Sequence, residues 1–159
     1  MGGAPDRSEL RERIEAFLGA HHVMTLATAG PAGPWAAAVF YASDGLTLYF
    51  VSAPDSRHSV DIETGGAVAA TIHAECRDWR EIRGIQLEGP ANRLAGAASA
   101  AAALHYGRKF PLLANLAAAP AEIAAAMTRV AWYQVTPRRI RLIDNTRGFG
   151  NKEELQLEP

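Results

Sequence analysis

One cysteine, Cys76, stands in a chain of 159 residues, so no internal disulfide can close. The same scarcity removes a structural zinc site. His73 lies three residues from Cys76, but a closed tetrahedral site needs a second ligand pair, and His21, His22, His58 and His105 show no ligand spacing. No glycine-rich elbow or defined partner accompanies Cys76, so it reads as a small apolar residue and not as a nucleophile. An excess of one charge sign is also missing. The 16 basic residues balance 17 acidic ones, a formal net charge of −1, which leaves no overall field to draw in nucleic acid or an anionic membrane. Long hydrophobic runs are absent. The alanine-rich stretch from Ala95 to Met127 is interrupted by His105, Arg108, Lys109, Pro111, Pro120 and Glu122, well short of the roughly 18 apolar residues needed to span a bilayer. The stretch from Met1 to Arg13 is polar, carries both charge signs and lacks the apolar core of a signal peptide, so the cytoplasm is the expected compartment.

What remains is the pattern of one mixed domain. Leu10, Ile14, Phe17 and Leu18 fall at helical spacing between Ser8, a plausible N-cap, and Gly19, a plausible stop. From Val23 onward the apolar residues come in short, partly alternating and β-branched runs: 23–28, 35–42, 46–52, 67–73, 82–94, 130–136 and 139–143. Gly30-Pro31-Ala32-Gly33-Pro34, Asp44-Gly45 and Gly65-Gly66 separate them with turn chemistry, which predicts antiparallel neighbours. A two-turn helix is expected after Asp55 or Ser56, and an alanine-rich helix with two shorter pieces after Leu94. About seven strands with helices inserted among them predict an α+β, mainly β fold, a closed or partly closed antiparallel barrel. Arg138, Arg139, Arg141 and Arg147 cluster near the end, but strand alternation sets Arg139 and Arg141 on one face and Ile140 and Leu142 on the other, as on a solvated strand face.

The chemically suggestive segment is Ser52-Ala53-Pro54-Asp55-Ser56-Arg57-His58. A strand ends in a hydroxyl, a short loop follows, and Ser-Arg-His opens a helix, so backbone N–H groups, two hydroxyls and one or two cations share a small volume. That composition suits a phosphate group, because helix N-termini carry unsatisfied donors and partial positive charge while arginine adds a bidentate fork. The alternative at this stage is that Ser56 caps the helix and Arg57 and His58 face water.

The run Leu48-Tyr49-Phe50-Val51-Ser52-Ala53-Pro54-Asp55-Ser56-Arg57-His58, followed later by Glu88-Gly89, resembles the pyridoxamine 5′-phosphate oxidase-like FMN-binding split barrels. Within them, Arg83-Gly84-Ile85-Gln86-Leu87-Glu88-Gly89, the Arg108-Lys109-Phe110-Pro111 turn and Asp144-Asn145-Thr146-Arg147-Gly148-Phe149-Gly150 are similar to a bacterial branch with a C-terminal Asp-Asn-Thr-x-Gly-Phe-Gly motif. The resemblance implies an FMN-binding split barrel over residues 21–152, an N-terminal helix packed on it in residues 1–20, and a tail at 153–159. It places the phosphate grip on Ser56, Arg57 and His58, with Ser52 at the strand end. The backbone of the second strand, at Ala37, Ala38, Val39 and Phe40, would lie along the isoalloxazine ring, where small side chains such as Ala36 let it approach. The resemblance also implies a homodimer with flavin at the interface, which would give a short chain enough wall to hold a large cofactor.

Four departures bear on the reaction, the first being Trp35 followed by alanines where the family's second strand often begins with a basic residue. His58 stands where the family commonly has lysine, which makes one phosphate contact depend on protonation near pH ~6.5. Gly84 takes the place of a flavin-contacting glutamine, and the oxidase's C-terminal arginine and histidine pattern is not evident, so oxidation of pyridoxamine phosphate is not expected. The leading expectation is an FMN-binding protein, a flavin-dependent oxidoreductase acting on an unidentified small molecule, with no side chain that declares itself a general base. The other is a non-catalytic haem- or flavin-binding protein for storage or sensing, in which His21, His22, His58 or His105 would approach iron. The loop at Asn145, Thr146 and Phe149 either covers a ring or a partner's pocket, or simply closes the fold.

Overall fold

The computed structural model describes residues 6–157. Its first helix, α1 (Arg7–Ala20), starts earlier than Ser8 suggests, because the Asp6 carboxylate accepts the Ser8 N–H at 3.0 Å and caps it. Gly19 does not stop it. Leu10, Ile14 and Leu18, four apart, are buried along one face. At the far end the Lys109 ammonium donates to the carbonyls of Leu18 (3.0 Å) and His21 and lies 4.0 Å over the Tyr41 ring. Burial pulls this lysine down to about 8, and its contacts hold the C-terminus of α1 against the barrel.

Nine strands follow among the described residues, and every pairing of them is antiparallel. They are β1 (Val23–Gly30), β2 (Gly33–Phe40), β3 (Ala42–Asp44), β4 (Thr47–Ser52), β5 (Ala67–His73), β6 (Arg83–Arg93), β7 (Ala131–Val135), β8 (Arg139–Asp144) and β9 (Lys152–Gln156). The order is β2-β1-β5-β6-β7-β4-β3, with β8 joining β6 to β9. The sheet curls into a half-barrel around Met24, Leu26, Leu48, Phe50, Ile72, Ile85, Tyr133 and Ile140. Among the described residues five α-helices accompany it: α1, then α2 (Arg57–Gly65), α3 (Gly96–Lys109), α4 (Pro111–Ala114) and α5 (Ala121–Met127). The α+β split-barrel reading of the sequence is what the chain adopts.

Two strands exceed the sequence reading. The run 35–42 is broken at Tyr41, whose N–H reaches back to the His22 carbonyl (3.0 Å) and whose hydroxyl donates to the Leu18 carbonyl (2.8 Å), so β2 and β3 separate there. Most of β9 lies in residues 153–159, which the sequence reading treats as a tail. Lys152-Glu153-Glu154-Leu155-Gln156 has one apolar anchor, the buried Leu155, and an edge strand with charged neighbours needs no more. Gly65-Gly66 also differs from a hairpin: Gly66, at φ 71°, is the left-handed cap of α2, its N–H bonded to the Ile62 carbonyl.

The longest strand, β6, is shared. One edge pairs with β5 from Gly84 to Pro90, while the other pairs with β8 up to Glu88 and with β7 from Ala91. Gly89 sits at the changeover, where the Thr136-Pro137-Arg138 turn crosses it so closely that a Cβ would overlap the Thr136 carbonyl oxygen and come within 2.9 Å of the Pro137 Cα. Gly89→Ala is therefore expected to lower unfolding stability in urea by about 1–3 kcal/mol. Gly19→Ala, with nothing within 4 Å of its new methyl inside α1, should instead raise it by roughly 0.5–1 kcal/mol.

Candidate functional site

Strand β4 delivers Ser52 to the entrance of α2. The chain turns through a bond from the Ser56 N–H to the Ala53 carbonyl (3.1 Å), and Ser56 then stands at the N-cap position with extended backbone. Its hydroxyl makes no capping bond to the helix amides. It lies 3.0 Å from Ser52 Oγ and 3.2 Å from His58 Nε2, and donates to the buried Ser59 hydroxyl at 2.8 Å. Ser52 Oγ is 2.7 Å from the same imidazole nitrogen. Three sequence-expected residues, Ser52, Ser56 and His58, thus form one half-buried polar cluster, and the first-turn amides of α2 are left without a side-chain cap.

Arg57 leaves the helix in another direction. Its Nη2 donates to the carbonyls of Ala32 (2.9 Å), Gly33 (3.2 Å) and Pro34 (3.4 Å), and its guanidinium lies 4.6 Å over the Trp35 ring. The Nε is buried and has no hydrogen-bond partner among the described residues. Three anchored contacts thus leave this donor unpaired, at a desolvation cost of about 1–3 kcal/mol. Packing fixes the helix beneath these groups: Asp61, on α2, accepts the Thr28 hydroxyl of β1 at 2.8 Å, both side chains being buried.

Strand β2 ends the sheet, paired to β1 along one edge and to no strand along the other among the described residues. Ala37 and Val39 sit half-buried opposite Leu26 and Met24, whereas Ala36, Ala38 and Phe40 point outward and are exposed. The four β2 residues named from the sequence therefore split two and two by side chain while sharing one open backbone edge. Sequence reasoning missed Trp35 as the platform for Arg57, and Ser59 and Asp61 as supports. The three-residue spacing of Ser56 and Ser59 was the available signal for the first support, since positions three apart share a helix face, and no such spacing marks Asp61.

The histidines do not gather. His21 bonds the Phe17 carbonyl (2.8 Å), His105 lies 3.4 Å from Asp44 and stacks on Tyr49, and His22 sits 5.8 Å from the Phe110 ring. The Asp-Asn-Thr run is used internally. Asp144 accepts the Thr146 N–H and hydroxyl, and buried Asn145 donates to the Trp79 carbonyl (2.7 Å) while accepting the Gly150 N–H (3.1 Å). Gly84 has a packing reason, because a Cβ there would lie 3.0 Å from the Ile72 carbonyl oxygen.

A curled antiparallel half-barrel with β2 as an edge strand, tied through Arg57 to the start of α2, defines the class of split barrels. Residues 10–144 match the family model described as pyridoxamine 5′-phosphate oxidase, and the chain belongs to that family. A UPF0306 protein of Photorhabdus laumondii is 32% identical over 141 residues, covering 87% of this chain and 90% of the relative. Among solved structures, a haem-binding protein from Mycobacterium smegmatis superposes with a TM-score of 0.70 at 21% identity, covering 98% of this chain and 60% of that one. The haem storage protein HutZ from Vibrio cholerae does so with a TM-score of 0.62 at 12% identity, covering 79% and 88%. Both show the fold. No helix among the described residues is long and apolar enough to cross a membrane.

Burial lowers the His58 pKa below its ordinary 6.5, outweighing the nearby Asp61 carboxylate, which acts the other way. The imidazole is thus neutral at pH 7 and becomes a cation only as pH falls below its ordinary range. Sulfate, whose charge is constant over this span, should bind more tightly at pH ~5.5 than at pH ~8, and His58→Lys should remove most of that difference, as read by isothermal titration. The same lowered pKa makes His58 a stabilising contribution present above pH ~6.5 and lost as pH falls through its folded value.

Proposed function

We propose that the chain binds FMN non-covalently, as one half of a homodimer, and serves as a flavin-dependent oxidoreductase for a small molecule. The observation that carries this reading is the buried Nε of Arg57, without a hydrogen-bond partner among the described residues, on the first turn of a helix whose amides have no side-chain cap. Ser52, Ser56, Arg57 and His58 hold the phosphate, and the open backbone edge at Ala37, Ala38, Val39 and Phe40 lies along the ring. Exposed alanines at 36 and 38 leave room for that approach. The match of residues 10–144 to the pyridoxamine 5′-phosphate oxidase family model supports it.

Bound FMN supplies hydride and electron transfer, and the protein contributes orientation and exclusion of water. Trp35 keeps the Arg57 guanidinium flat at the mouth of the site. Arg57's three carbonyl contacts pin the β1–β2 turn to α2, so the phosphate grip and the ring-bearing strand form one rigid unit. Ser52 and Ser56 orient the imidazole, which at pH 7 holds no charge and accepts or donates one hydrogen bond.

A second reading is haem in place of flavin, supported by the haem-binding and haem-storage neighbours and by the exposed ring of His22 beside Phe110 and Phe40. The absorption spectrum after reconstitution decides between them. Flavin bands are expected, and a Soret band without them transfers the site to haem. Arg57→Glu should weaken FMN binding at least about 30-fold, the equivalent of ~2 kcal/mol for a charge-assisted contact, with unchanged circular dichroism. Full retention of flavin in that variant would place the phosphate elsewhere.

A further inference from the structure

The turn Arg108-Lys109-Phe110-Pro111, distinctive in the sequence, has no part in the phosphate grip, yet it is firmly held. Lys109 donates to the Leu18 and His21 carbonyls, the Phe110 N–H to the Tyr106 carbonyl (2.8 Å) and the Leu113 N–H to the Phe110 carbonyl (2.9 Å), and Pro111 opens α4 with a fixed φ. What the turn presents is one ring. Phe110 lies 4.7 Å from the buried Tyr106 ring, 5.6 Å edge-on from Phe40 and 5.8 Å from the exposed His22. Tyr106 is braced in turn by Trp132 at 5.3 Å, and its hydroxyl reaches the Phe40 carbonyl at 3.5 Å. The end of α3, the approach to β1 and the end of β2 thus meet in an aromatic wall, in which Phe40 stays 57% exposed and Phe110 half-buried.

The wall stands where β2 ends. Ala36, Ala38 and Phe40 share the outward face of that strand, two small side chains and then a large one, so the face is low along the stretch assigned to the ring and rises at its end. The Tyr106 hydroxyl on the Phe40 carbonyl closes the free backbone edge at the same point. We infer that Phe40 and Phe110 form the substrate wall of the site and select an uncharged aromatic molecule, an inference that rests on the flavin reading above. The open rings supply the attraction, since aromatic pairs gain from edge-to-face and offset contacts beyond the area they bury. Cations are turned away from them. Lys109 is spent on the α1 carbonyls, and Arg108, two positions from both Tyr106 and Phe110, belongs to the other side of the helix end. An anion placed at the wall would lose water without gaining a lysine or arginine partner among the described residues. His22, exposed at the rim, supplies a hydrogen-bonding nitrogen for a hydroxyl or carbonyl on the incoming ring.

Two probes test the assignment on the FMN-loaded, full-length chain: 2-naphthol, neutral at pH 7, and 2-naphthoate, the same ring frame bearing a carboxylate. Titration with 2-naphthol should perturb the visible flavin bands, and 2-naphthoate should bind at least about tenfold more weakly. Phe110→Ala should weaken 2-naphthol about tenfold while FMN content after desalting stays at the wild-type level, and Phe110→Tyr should restore the affinity. Equal affinity for the two probes, unchanged affinity in Phe110→Ala, or 2-naphthol bound without any change in the flavin bands each overturns the inference and leaves the flavin reading standing. So does FMN-loaded wild-type protein that binds neither probe, the result expected if a second copy of the chain covers the wall. A wild-type chain that takes up no FMN overturns both. Should Phe110→Ala fail to fold by circular dichroism, Phe40→Ala, at the more exposed position, replaces it, with the same loss of 2-naphthol expected.

Discussion

One strand carries two neighbours along a single edge. Because β6 gives its first half to β8 and its last residues to β7, the two parts of the sheet diverge at Gly89, and the curl of the half-barrel follows from that changeover. Everything downstream depends on it. The β7–β8 turn packs directly on the glycine backbone, β7 places β4 beside it, and β4 presents Ser52 at the start of α2. Glu88-Gly89, which in the sequence is a short motif of little specificity, is thus the point at which the fold is decided.

The site is held by a second constraint, the buried Thr28–Asp61 hydrogen bond between β1 and α2. Gly30 is part of that contact, as a Cβ there would overlap the Asp61 carboxylate, so the glycine that looks like turn chemistry also makes room for the acid that seats the helix. With α2 fixed on β1 and Arg57 tied to the β1–β2 turn, the hydroxyl cluster and the edge strand keep a constant separation. A ligand spanning them meets a surface already arranged, which limits the ordering cost of binding.

Much of this was legible in the residues. The α1 face, the seven expected strand runs and the Ser52–His58 segment all follow local rules of periodicity, turn chemistry and helix capping, and the structure brings Ser52, Ser56 and His58 together as those rules suggest. What escaped was set by distant partners. The break at Tyr41 depends on His22 and Leu18, β9 forms on β8 with a single buried leucine, and Arg57 chooses carbonyls more than twenty residues away. The Asn145 side chain looks like a ligand-facing group in sequence yet is consumed by Trp79 and Gly150. No window of local sequence contains such information, because each outcome is a competition among groups that only the folded chain brings into range.

The helical excursion between β6 and β7 has a different significance. Its stem is closed by the bond from the Leu94 N–H to the Trp132 carbonyl (2.8 Å), while α4, the single turn at Leu116–Ala118 and α5 bury no residue of their own. Since loop-closure entropy grows only logarithmically with length, and α3 is the part of the excursion that packs on the barrel, the segment from α4 to α5 can be lengthened or pared back without shifting any strand register. Natural variation therefore has a free parameter here: descendants of this barrel can remodel an apolar lobe while inheriting the sheet and the entrance of α2 intact.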